Sequence, residues 1–202
     1  QVLKMRRLTG EDIGHVVIMG IGEPFDNYEG LSKFISLINS KQGYNLGMRN
    51  ITVSTCGLVP MIEQFGKDFP QVNLAVSLHA PNDDIRRRTM PIARRYAYED
   101  LITACRTYTE STKRRITFEY ALIDGVNDQR EHALELARHL KGWLTHVNLI
   151  PLNEVDGTGY LTSNRETVRS FAGTLEEHSI AVSVRRTLGT DIDAACGQLR
   201  LR

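Results

Sequence analysis

Short apolar runs alternate along the chain with stretches whose apolar residues recur at helical spacing. The first run covers residues 15–24, His-Val-Val-Ile-Met-Gly-Ile-Gly-Glu-Pro. Its near-continuous hydrophobicity, bounded by Gly and Pro, predicts a parallel strand buried on both faces. Residues 28–40 carry Leu31, Phe34, Ile35 and Ile38 on one helical face, and Gly43 and Asn45 punctuate the end of that helix. Further strands are expected within 49–57, 71–81, 115–123, 146–151 and 179–184. The intervening helices fall at 59–69 (opened by Pro60), 98–109, 131–141 (on Ala133, Leu134, Ala137 and Leu140) and 166–177, while 83–90 reads as a polar, Arg-rich stretch.

This alternation indicates repeated βα units around a parallel sheet, closed as a barrel or open. Glu23, Ser54, Ser77 with His79, Asn127, Asn153 and Arg185 all fall at or just beyond the carboxyl end of an expected strand. Parallel α/β folds build their active sites on that face, so a concave polar site is expected there. Gly22 lets a ligand approach the backbone, and Glu23 supplies a carboxylate that can accept from an ammonium group.

Composition narrows the classes. A chain of 202 residues with no Pro/Gly/Ser linker is expected to form one domain over 1–202. The lack of a long apolar run argues against a membrane partner, and the expected location is the cytoplasm. Three cysteines, Cys56, Cys105 and Cys196, are too scattered for a disulfide framework; Cys105 belongs to a helix face and is expected in the core. The net charge of +1 hides basic clusters at 86–88, 94–95, 113–115 and 185–186, which bear on nucleic acid only in combination with other features. Because the chain opens at Gln1, inside a helix-like stretch, it is expected to be a segment of a longer protein.

Several motifs are similar to those of a known family: Met19-Gly-Ile-Gly-Glu-Pro24, Ser54-Thr-Cys-Gly57, Ser77-Leu-His-Ala-Pro-Asn82, Phe118-Glu-Tyr120 with Asp124-Gly-Val-Asn127, Asn148-Leu-Ile-Pro-Leu-Asn153, and the tail 185–198 with its lone Cys196. Across essentially the whole chain they resemble the RlmN/Cfr family of radical S-adenosyl-L-methionine (SAM) RNA methyltransferases. The resemblance implies an α/β fold, a partial (β/α)6 TIM-like barrel, here without its first strand and cluster loop. It implies methylation at C2 of an adenine in 23S rRNA and in tRNA by a monomeric enzyme, with C8 methylation as the Cfr-like alternative. Residue by residue, Gly22, Glu23, Ser54, Ser77, Leu78, His79 and Asn153 match SAM contacts. Cys196 matches the catalytic cysteine, which takes a methyl group from one SAM and loses a hydrogen atom to a 5′-deoxyadenosyl radical made from a second. Its methylene carbon then adds to the base.

One departure is plain: the family's 4Fe-4S cluster sits on a Cys-x3-Cys-x2-Cys loop, and no such spacing occurs in this chain. The ligand cysteines are therefore expected outside it, and neither Cys56 nor Cys105 is assigned as a metal ligand. Two other readings stand beside this one. The chain by itself is a cluster-free module that binds SAM or RNA, or it is an unrelated aldolase-like barrel using His79 and Glu119 as acid and base.

Overall fold

In the computed structural model, residues 1–153 and 159–185 are described. They contain six strands: β1 Val16–Ile18, β2 Ile51–Thr55, β3 Asn73–Ser77, β4 Ile116–Leu122, β5 Thr145–Pro151 and β6 Ala181–Val184. The strands pair in chain order and every pairing is parallel, leaving β1 and β6 as the two edges. Helix α1 is Val2–Thr9, α2 Tyr28–Asn39, α3 Val59–Asp68, α4 Asp83–Thr89, α5 Tyr98–Thr112, α6 Arg130–Leu140 and α7 Arg165–Glu177. The result is an incomplete (β/α) barrel of the expected class. No helix among the described residues is long and apolar enough to cross a membrane.

The two faces of the sheet differ in chemistry. On β4, Ile116, Phe118, Tyr120 and Leu122 are fully buried on the helix side, joining Ile51 and Val53 of β2 and Val147 and Leu149 of β5 in one core. The alternate residues face the other way. In register, Ser77, Glu119, Asn148 and Ser183 form a row of polar side chains across β3 to β6 on the concave face. Strand alternation thus separates an apolar convex face from a polar concave one.

Two expectations change here, and the polar, Arg-rich stretch takes a definite form. Strand β1 is not buried on both faces: Val17, in register with Thr52, faces the open concave side and is 58% exposed. Residues 83–89 are helical: the Asn82 side chain caps the first turn, its Oδ1 accepting from the Ile85 N–H at 3.1 Å. On α6 the buried face uses Leu136 in place of Leu134, while Ala133, Ala137 and Leu140 are buried as the spacing predicts.

Helices α3 and α5 approach closely at Gly66. A Cβ there would lie 2.9 Å from Cδ2 of Tyr108, whose hydroxyl is anchored to the Val72 carbonyl at 2.9 Å in the core. Gly66→Ala improves helix propensity by about 1 kcal/mol, but overpacking costs about 1–3 kcal/mol and moving the ring also strains a buried hydrogen bond. The variant should be less stable, read as a lower urea midpoint with an unchanged slope; a raised midpoint would show that Tyr108 yields freely.

Candidate active site

A cavity of about 410 Å³ opens at the carboxyl ends of the strands. Of the residues expected at a site, Gly22, Glu23, Ser54, Ser77, His79 and Arg185 line it together. Gly22 takes φ +90°, a conformation that L side chains rarely adopt, and it carries the chain from β1 over the cavity.

Glu23 ties two strand ends to each other. Its Oε1 accepts from the Phe25 N–H at 3.0 Å, capping the short helical turn Pro24–Asn27, and its Oε2 accepts from the Cys56 N–H at 2.7 Å beyond β2. The Cys56 thiol also lines the cavity, and burial together with its hydrogen bond to Glu23 pushes its pKa up to about 12. It is therefore a neutral thiol rather than a nucleophile.

His79 is held in the left-handed region at φ +55°. Its Nδ1 accepts from the Ala121 N–H at 2.9 Å, and its carbonyl accepts from Asn127 Nδ2 at 2.8 Å. Burial, with the nearby Arg86 guanidinium as a second cause, pulls the imidazole pKa down to about 4. The ring is thus neutral with its proton on Nε2, which leaves one N–H donor. Asn127 is fully buried and serves as a bracket: it also donates to the Ala121 carbonyl at 2.7 Å and accepts from the Ile123 N–H at 2.7 Å. An acid–base pairing of His79 with Glu119 finds no support in this neutral, backbone-anchored ring.

Other expected residues lie elsewhere. The Leu78 side chain is fully buried on the opposite side of its strand, and only its backbone reaches the site's frame, donating to the Glu119 carbonyl at 3.0 Å. Asn153, just past β5, is not among the cavity's lining residues. Cys196 and Arg186 lie outside the described residues. The basic clusters also divide. Arg86 is fully buried, so it cannot meet a polyanion, whereas Arg87, Arg88, Arg94 and Arg95 are exposed on the segment that follows β3. Residues 113–115 precede β4 and so sit at the opposite end of the sheet from the cavity.

Sequence reasoning passed over Thr55, Cys56, Ile150 and, as a cavity residue, Glu119. The available signal was an acidic residue at an alternate position inside the otherwise apolar β4. Among the described residues no group of three or more His, Cys, Asp or Glu side chains is placed to hold a metal. Cys105 is fully buried in α5, and burial raises its pKa. The described residues therefore do not fit an iron–sulfur cluster.

The half-buried imidazole has a pH signature. Unfolded, it takes a proton near pH 6.5, whereas folded it does so only near 4. Between these values the unfolded state binds the extra proton, so stability is full above 6.5 and is lost as pH falls toward 4. His79→Asn, which tolerates the positive φ, should show a shallower loss of urea midpoint between neutral pH and pH ~4.5. Equal slopes for the two proteins would place the imidazole in solvent.

The model of the radical SAM superfamily matches residues 2–137. A probable dual-specificity RNA methyltransferase RlmN from Clostridium tetani is 52% identical over 202 residues, covering 100% of this chain and 58% of the relative. Its counterpart from Caldanaerobacter subterraneus subsp. tengcongensis is 56% identical over 188 residues, 93% of this chain and 55% of that protein. The crystal structure of a radical SAM methyltransferase from Sphaerobacter thermophilus superposes with a TM-score of 0.91 at 48% identity, over 96% of this chain and 57% of that one. A domain of pyruvate-formate lyase-activating enzyme from Bacteroides vulgatus shares the fold, with a TM-score of 0.66 at 16% identity, covering 86% of this chain and 100% of that one. The chain thus spans somewhat over half the length of the curated relatives it matches. A parallel partial barrel, a polar cavity at its strand ends and these matches together mean that the chain belongs to the radical SAM superfamily and, within it, to the RlmN family.

Proposed function

We propose that this chain is the SAM-binding core of an RNA adenine methyltransferase that modifies C2 of an adenine in 23S rRNA and in tRNA, with Cys196 as the methyl carrier. The observation that carries this reading is the convergence of Gly22, Glu23, Ser54, Ser77 and His79 on one cavity. The groups suit the cofactor: a carboxylate for the ammonium, hydroxyls and a neutral imidazole N–H for its polar atoms, and a volume within the ~300–1,000 Å³ usual for such sites. When bound, SAM supplies an electrophilic methyl group on a sulfonium. The Cys196 thiolate would form the new C–S bond as the sulfonium C–S bond breaks, leaving a methyl thioether on the protein and S-adenosylhomocysteine to depart. Iron–sulfur chemistry belongs to residues other than those described, and no step is assigned to it.

The test uses a full-length protein carrying this sequence. Cys196→Ala should abolish RNA methylation, followed by mass-resolved nucleoside analysis, while leaving SAM binding intact; Glu23→Gln should weaken SAM binding by about tenfold or more. Peptide mass spectrometry should find the wild-type Cys196 peptide one CH₂ heavier. Turnover with an unmethylated Cys196, or C8-methyladenosine as product, would overturn the assignment.

The same reading places RNA at the cavity's rim. The exposed Arg87, Arg88, Arg94 and Arg95 follow the carboxyl end of β3, and the Tyr160 hydroxyl, beyond β5, donates to the Arg88 carbonyl at 3.4 Å. Neutralising these arginines should flatten the slope of log affinity against log salt by about 0.7–0.9 for each phosphate they had neutralised, whereas replacing Lys113 and Arg115 should leave it unchanged. An equal effect from both sets would mean non-specific attraction only.

A further inference from the structure

Glu119 has an unusual environment for a carboxylate. It is 7% exposed and lines the strand-end cavity, and the one hydrogen bond its carboxylate accepts among the described residues comes from Asn148 Nδ2 to Oε2 at 2.8 Å. Buried carboxylates ordinarily have their lone pairs met by several donors or a paired cation. Here Oε1 has no donor among the described residues. The nearest compensating charge is Arg185, an exposed residue on the same cavity wall.

The rest of the row holds Oε2 in place. Ser183 Oγ donates to Asn148 Oδ1 at 3.1 Å and lies 2.8 Å from His146 Nε2. Its single proton is spent on Asn148, so the His146 contact requires an Nε2–H donor. Every bond in the chain from His146 through Ser183 and Asn148 therefore points toward the carboxylate. The Asn148 amide nitrogen faces Glu119 Oε2, which leaves Oε1 as the remaining acceptor.

We propose that Glu119 is a further ligand-contacting residue of this cavity, whose Oε1 accepts a hydrogen bond from a hydroxyl or amino donor on the nucleoside part of the bound cofactor. The inference rests on the SAM reading given above and extends it. Glu23 stands at the ends of β1 and β2, and Glu119 lies on β4, across β3 from them. With Glu23 serving the ammonium of the amino-acid part, the donors left for a second carboxylate are the nucleoside's ribose hydroxyls and exocyclic amine.

Glu119→Gln is the test, because it keeps the shape and the bond from Asn148 while turning the cavity-facing acceptor into a donor. Binding of SAM and of methylthioadenosine, which lacks the amino-acid part, is measured by calorimetry on the anaerobically reconstituted full-length protein. Glu119→Gln should weaken both ligands about tenfold or more, and Glu23→Gln should weaken SAM but not methylthioadenosine. If wild type binds SAM and Glu119→Gln binds both ligands equally well, this inference fails and the SAM reading stands. Loss of SAM affinity with unchanged methylthioadenosine affinity would overturn the nucleoside assignment. A wild type that binds neither ligand would remove the SAM reading itself. Should Glu119→Gln fail to fold, Glu119→Asp, one methylene short of the cavity, must show the same ligand pattern.

Discussion

A guanidinium without a carboxylate partner among the described residues organises the strand ends. Arg86 is fully buried, and it donates to the carbonyls of Cys56 at 2.8 Å and of Ser77 and Leu78 at 3.3 Å each. Where β2 and β3 run out, their last carbonyls have left the ladder and need donors. One planar cation with five N–H groups meets several such acceptors at once, which a lysine cannot do with the same geometry. The arrangement leaves little room beside it. Gly57, at φ +100°, would place a Cβ 3.2 Å from Arg86 Nη2 and 3.0 Å from Leu101, so both conformation and space favour glycine there.

That buried charge also reaches the chemistry above it. It opposes protonation of His79, adding to the burial of the ring. Asn127 then fixes the His79 carbonyl, while the Ala121 N–H occupies Nδ1, so the ring's only available function is an Nε2–H donor. Fold and site are continuous here: the residues that terminate the strands also decide the protonation state of a cavity side chain.

The βα order, the strand positions and the strand-end location of the polar residues were legible because each is written locally, in period and punctuation. What was misread depends on neighbours that a single sequence does not name. Val17 sits in an apolar run, yet its register with Thr52 turns it to the open concave face. Arg86 belongs to an Arg triplet that resembles a solvated or RNA-binding face, yet the first turn of α4 rotates it inward while Arg87 pairs with Asp83 at 3.5 Å. Leu78 shares a motif with Ser77 and His79, but alternation turns its side chain to the other side. The use of Glu119 depends on Asn148 and Ser183, which are distant in sequence and become adjacent only through parallel register.

Charge balance in the cavity links these details to ligand choice. Cys56 is kept neutral by burial beside Glu23, and His79 is kept neutral by burial over Arg86. The charge-bearing groups left on the described walls are the carboxylates of Glu23 and Glu119, the latter's pKa raised by burial, and the guanidinium of Arg185, with the buried Arg86 cation beneath them. A ligand rich in hydrogen-bond donors and cationic groups suits two such carboxylates. A phosphorylated metabolite would instead face two carboxylates with one exposed guanidinium to meet it, and in a partly desolvated cavity such like-charge contacts are costly. Two carboxylates on the cavity wall therefore weigh against a phosphorylated ligand at this site.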